Sequence, residues 1–197
     1  MGTRVVRQFA LAAAVAAAAA MFASDTLAAV VKGVTFPDSV AIGGRECRLN
    51  GVGVRTKFIV SVYLGALYVA TPTADGVAAI AADEPKRTVL HFVHSKVEAE
   101  KIREAWREGF AANAGAALPQ LKERLERFAG WFDEDLHKDE RIELTYVPGK
   151  GTEVAVKGKV RGTIEGADFM RALWSVWLGE KPVDGGLKEG MLAGAQR

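Results

Sequence analysis

From Val34 to Val69 the apolar positions are rich in β-branched and aromatic residues, the pattern of successive strands. Gly43-Gly44 and Asn50-Gly51 interrupt the pattern and read as hairpin turns. The spacing predicts strands near 34–36, 40–42, 46–49, 52–58 and 60–70, some of them continuous or bent. Residues 87–93 predict another strand by their alternation. The period then becomes helical. Ser95 and Glu98 have capping-box spacing, and they open a segment in which Val97, Ile102, Trp106 and Phe110 lie close to one stripe. Pro119 suits the first turn of a second helix, whose apolar face carries Leu121, Leu125, Phe128 and Phe132. Strands over 141–147 and 153–160, joined by a turn at Pro148-Gly149-Lys150-Gly151, precede a short strand over 161–164. A last helix begins near Asp168 and closes at Gly179, with Pro182 beyond it. The tail after Leu192 is expected to fray.

Strands, two helices, a strand pair and a final helix do not make the regular alternation of a doubly wound parallel sheet. The order predicts an α+β fold, a largely antiparallel sheet with a layer of helices on one face. Such a fold has a gap between its layers, a common place for a ligand cleft.

The first residues follow a different pattern. Arg4 and Arg7 precede an apolar run of 14 residues from Phe9 to Phe22, and small residues follow in Thr26-Leu27-Ala28-Ala29. These are the three parts of a secretory signal peptide cleaved after Ala28 or Ala29. The run is short of the roughly 20 residues that span a bilayer. The expectation is a leader over 1–28, a single domain over 29–197, and an exported, periplasmic protein. The remaining 169 residues suit one domain with a sizeable core.

Charge narrows the partners. The chain carries +2, and loss of Arg4, Arg7 and Asp25, together +1, leaves about +1. Basic and acidic residues alternate, so no strong field steers the chain to nucleic acid or acidic lipid. With Cys47 alone, no internal disulfide can form, and a lone cysteine reads as a small buried apolar residue. His91 and His94 are three apart in a strand, hence on opposite faces, with no cysteine or carboxylate cluster at ligand spacing. Neither a metal nor a cofactor is expected.

Candidate chemistry lies in Leu49–Val69. Gly53, Arg55 and Lys57 share one strand face, and Val52, Val54, Thr56 and Phe58 share the other. Arg55 has two readings: a charge on the solvent face of the sheet, or a guanidinium held in a pocket where it forks to a carboxylate or phenolate. Tyr63 can pack in the core or touch a ligand. Tyr68, five residues on, points the other way and reads as structural. Trp174 and Trp177, three apart on the last helix, read as core, although their bulk could line an apolar slot.

The segment GVGVRTKFIVSVYLGALY resembles the chalcone isomerase family's Gly-x-Gly-x-Arg strand and the tyrosine-containing strand after it. FPDSVAIGGRECRLNG is similar to the family's opening hairpin, EAEKIREAW to its first long helix, and RIELTYVPGKGTEVAVKGKVRGTIEG to its later strands. FMRALWSVWLGEKPV resembles its final helix, so the likeness spans about residues 33–192, nearest to the exported bacterial branch. The resemblance implies one of two activities. Plant members cyclise chalcones with an arginine, a threonine, a tyrosine and an asparagine. Non-catalytic relatives grip a fatty-acid carboxylate with the same arginine and a tyrosine. Arg55 matches the shared arginine, and Tyr63 falls where the isomerases have threonine and the fatty-acid binders tyrosine. The enzyme's helix tyrosine aligns with Glu98 and its asparagine with Ala105. Of the four enzyme positions only the arginine is kept. The resemblance thus implies a binding protein for a small amphipathic carboxylate, anchored by Arg55 and Tyr63. The alternative is an isomerase for a chalcone-like or other phenolic substrate, with Arg55 as its catalytic residue.

Overall fold

A computed structural model describes residues 28–196. The predicted leader lies outside the described residues except for its last residue, Ala28. That residue opens β1 (Ala28–Val31), which pairs antiparallel with β2 (Val34–Pro37). The main sheet contains β3 (Ser39–Ile42), β4 (Arg45–Lys57), β5 (Val60–Val69), β6 (Lys86–Phe92), β9 (Arg141–Val147), β10 (Gly151–Val156) and β11 (Lys159–Ile164). Its order is β11-β10-β9-β6-β5-β4-β3, and every pair is antiparallel. The predicted α+β class holds, with helices over one face. Two short strands, β7 (Lys96–Val97) and β8 (Leu136–His137), pair outside this sheet.

Both faces of the sheet are covered, which explains why β5 is buried along nearly its whole length. Tyr63, Leu67 and Val69 face the helices, while Leu64, Ala66 and Tyr68 join Phe36 and Cys47 in a smaller cluster on the opposite face. Tyr68 is therefore a packing residue there. Burial raises the Cys47 thiol above its usual range, and its Sγ lies 3.4 Å from the Pro85 carbonyl oxygen.

The helices are α1 (Gly76–Ala81), α2 (Ala99–Asn113), α3 (Leu118–Gly130), α4 (Ala167–Leu178) and α5 (Gly185–Leu192). Ile102, Trp106 and Phe110 are buried at four-residue spacing on α2, and Leu121, Leu125 and Phe128 form the matching stripe of α3. α4 is buried almost all round, with Trp174 and Trp177 fully enclosed. Arg124 of α3 ties it down through a two-armed ion pair to Asp168 (Nη1–Oδ1 2.9 Å), which holds that carboxyl down at about 2.

Four expectations need correction. Asn50-Gly51 is a β-bulge inside one long strand, not a turn: the Asn50 side chain is buried and bonds to Thr73 and to the Met191 carbonyl. The strand expected over 153–160 is two strands, because Lys157 and Gly158 both adopt positive φ (53° and 74°) and turn the chain. Ser95 does not cap α2. The helix starts at Ala99, whose N–H donates to Asp135 Oδ1 at 2.9 Å, and Val97 belongs to β7. The tail expected to fray after Leu192 instead forms a 3-10 turn over Ala193–Gln196 beside β4. Ahead of it, where no element was predicted, Asp184 caps α5 by accepting the Leu187 N–H at 2.9 Å, and α5 packs on β4.

Candidate functional site

β4 and β5 place Arg55 opposite Tyr63, and a bulge makes that pairing. From the turn, Lys57 pairs with Val60 and Thr56 with Ser61. An extra residue, Val62, then shifts the register so that Arg55 meets Tyr63. Without it Arg55 would lie across from Val62, and Tyr63 would be turned to the other face. The Arg55 guanidinium carbon lies 5.9 Å from the Tyr63 ring centroid, within cation–π range.

The two residues line a cleft of about 560 Å³ between sheet and helices. Tyr63, Phe92 and Ile142 form its sheet side, and Ile102, Trp106 and Trp177 form its helix side. Charged residues stand at the rim. Lys101 is paired with Glu98 (2.8 Å) and Lys96 with Asp135 (2.8 Å). Arg55, half-buried, has no hydrogen bond or ion pair among the described residues. A guanidinium so placed keeps its donors for a ligand anion.

Tyr63 is 8% exposed. Burial raises its hydroxyl to about 12, against the opposing pull of Arg55 and of the hydrogen bond from Trp177. Trp177 Nε1 donates to the Tyr63 oxygen at 3.2 Å. The phenol thus stays protonated at neutral pH, and its own proton has no acceptor among the described residues. It can donate to an anion beside Arg55. Trp106 Nε1 is a further buried donor with no acceptor among the described residues.

The structure brings Arg55 and Tyr63 together at one cleft. The two helix positions singled out by resemblance face the same cleft: Glu98 at its rim and Ala105 with its methyl group. Lys101 hydrogen-bonds the Glu98 carboxyl and holds it below the usual carboxylate range, so at neutral pH it is ionised and can accept a hydrogen bond but not donate one. His94 also lines the cleft, whereas His91 is buried on the opposite face, its Nδ1 accepting from Arg141 Nε at 2.9 Å. Among the described residues no group of three His, Cys, Asp or Glu could hold a metal. Of the two tryptophans read as core with an apolar slot as the alternative, Trp174 is core, and Trp177 is both buried and part of the cleft wall. Its place on an apolar helix stripe signals burial, and only the fold shows that the buried edge reaches Tyr63.

Comparison with known proteins places this geometry. A family model described as chalcone isomerase-like matches residues 28–193. Fatty-acid-binding protein 1 of Arabidopsis thaliana is 26% identical over 196 residues, covering 83% of this chain and 68% of the relative. A crystal structure of an Arabidopsis thaliana fatty-acid-binding protein superposes with a TM-score of 0.71 at 23% identity, over 86% of this chain and 97% of that one. The fold likeness agrees with the seven-stranded sheet, and the match runs unbroken from β1 to the end of α5. On that ground the chain belongs to the chalcone isomerase-like family.

Proposed function

We propose that the chain is a binding protein of the exported bacterial branch of this family, taking a fatty acid or similar amphipathic carboxylate into the cleft without chemistry. One observation carries the reading: Arg55 is half-buried at a largely apolar cleft with no hydrogen bond or ion pair among the described residues, next to a protonated Tyr63 hydroxyl. A carboxylate head group would take both donors, and its chain would lie against Phe92, Trp106 and Trp177. The cleft's volume falls within the roughly 300–1,000 Å³ usual for small-molecule sites. The curated relative named for fatty-acid binding supports the same ligand class. Export through removal of residues 1–28 rests on the charged start, apolar run and small-residue site of the sequence. The isomerase reading is weaker: where that enzyme uses tyrosine and asparagine, this cleft offers an ionised Glu98 and the methyl group of Ala105.

Calorimetric titration with palmitate and with its methyl ester tests the proposal. Palmitate should bind and the ester bind at least about tenfold more weakly, since it cannot form the charge-assisted bonds. Affinity should be level from neutrality to about pH 10, because the Tyr63 hydroxyl keeps its proton until about 12. It should fall as the fatty acid itself protonates, below roughly pH 5. Equal binding of acid and ester would sink the anchored-carboxylate reading.

A further inference from the structure

The turn joining β4 to β5 is built from Phe58 and Ile59, which are 92% and 96% exposed. Val60 beside them is also exposed. Phe58 has φ +57°, a region that bulky residues rarely adopt and that tight hairpins normally fill with glycine or asparagine. The chain therefore keeps two large apolar side chains at a solvent-facing tip against both solvation and turn chemistry. Strain of that kind persists at sites with a use.

Two lysines stand directly beside the tip. Lys57 ends β4, and Lys32, in the neighbouring β1–β2 turn, donates from Nζ to Ser61 Oγ at 2.8 Å. Neither lysine has an acidic partner among the described residues. Of the carboxylates in this region, Asp184 accepts backbone N–H groups from Thr56 and Leu187. Glu98, paired with Lys101, lines the cleft with Glu104 and Glu108 on its helix side, across from the hairpin. Lys57, Phe58 and Val60 also form part of the cleft's mouth. An apolar tip with cations behind it matches an anionic bilayer surface: hydrocarbon below, phosphates above. The chain's near-neutral total charge gives no long-range pull, so the attraction is local to this end of the hairpin.

We infer that the β4–β5 hairpin is a membrane-docking wedge, which inserts Phe58 and Ile59 into the interface of an anionic bilayer and holds Lys57 and Lys32 against its head groups. Docked in this way, the cleft's mouth faces the lipid surface. The inference stands on the hairpin itself and does not need the carboxylate reading.

Two measurements on the full chain test it. In cosedimentation with vesicles of phosphatidylcholine and phosphatidylglycerol, Phe58→Ser/Ile59→Ser should partition at least about tenfold less than wild type. Its thermal midpoint should be unchanged, and wild type should bind pure phosphatidylcholine more weakly. Both proteins carry the same residues 1–28, so any affinity of that segment cancels. Second, Ile59→Cys can be labelled selectively with an environment-sensitive fluorophore, because Cys47 is fully buried. Its emission should shift to the blue on mixed vesicles. Equal partitioning of variant and wild type, or an unshifted label, overturns the inference. So does a wild-type dimer that the double variant loses, since the tip would then be a self-association surface. Flat palmitate titrations alongside hairpin-dependent vesicle binding would remove the carboxylate reading and leave the docking one.

Discussion

Replacing Arg55 with alanine should weaken palmitate binding by about 10- to 150-fold in calorimetric titration while leaving the thermal midpoint nearly unchanged. A hydrogen bond to a charged group contributes roughly 1.5–3 kcal/mol, and each 1.4 kcal/mol is tenfold in affinity. Arg55 is half-buried at the cleft and makes no hydrogen bond or ion pair among the described residues, so its removal leaves no protein group unsatisfied. The effect should thus appear in binding and not in folding. Arg55→Lys should fall between the two, since it keeps the charge and loses the planar fork. Tyr63→Phe is the less clean partner. It removes one neutral donor, worth roughly 0.5–1.5 kcal/mol, but it also leaves the Trp177 N–H without its acceptor in the core. An unchanged dissociation constant for Arg55→Ala would end the anchor role.

Gly53→Val should cost at least about 3 kcal/mol of stability, a fall of roughly 6–12 °C in Tm for a chain of this size. The cause is space, because a side-chain carbon at Gly53 would sit 2.1 Å from the Leu187 carbonyl oxygen and 2.7 Å from its Cα. Those are backbone atoms of α5, so the whole helix must lift. Leu187 and Met191 would then leave the core. The lift would also draw Asp184 away from the Thr56 N–H, which it holds at 2.9 Å beside Arg55. Gly190→Ala should act from the opposite side, its added carbon falling 2.4 Å from the Gly53 Cα. Gly130→Ala is the control: nothing lies within 4 Å there, and stability should change by less than about 0.5 kcal/mol. Thermal unfolding of the three variants separates close approach from the mere loss of a glycine.

Much of the frame was legible where one residue pattern has one solution. The β-branched and aromatic run of β5, the alternation of β6, the stripes of α2 and α3, and the Gly43-Gly44 turn, with φ of +58° and +81°, follow from local composition, local period and backbone freedom. Arg55 and Tyr63 stood out through the family resemblance, since by position alone the arginine reads equally as a solvent-face charge and the tyrosine as core. α5 was not legible. Its sequence, GGLKEGML, has three glycines and reads as loop, although Asp184 ahead of it was a usable capping signal. Helix propensity loses there to contact: Gly190 lets the α5 backbone rest directly on Gly53, and burial of Leu187 and Met191 offsets the poor propensity.

By itself, then, the sequence determined the α+β class, the antiparallel hairpins and the amphipathic helices. These are properties of neighbours along the chain, set by periods of 2 and 3.6 residues. The tertiary structure alone decided three other things. It decided that the Val62 bulge brings Arg55 and Tyr63 onto one face. It decided that Trp177 reaches across to hold the phenol oxygen. And it seated α5 on the two glycines of β4 as a wall beside the site. Each depends on register or on the approach of segments more than a hundred residues apart, as with Trp177 and Tyr63. Local sequence carries no record of such distances, because they are set by which surfaces the collapsed chain can bury together.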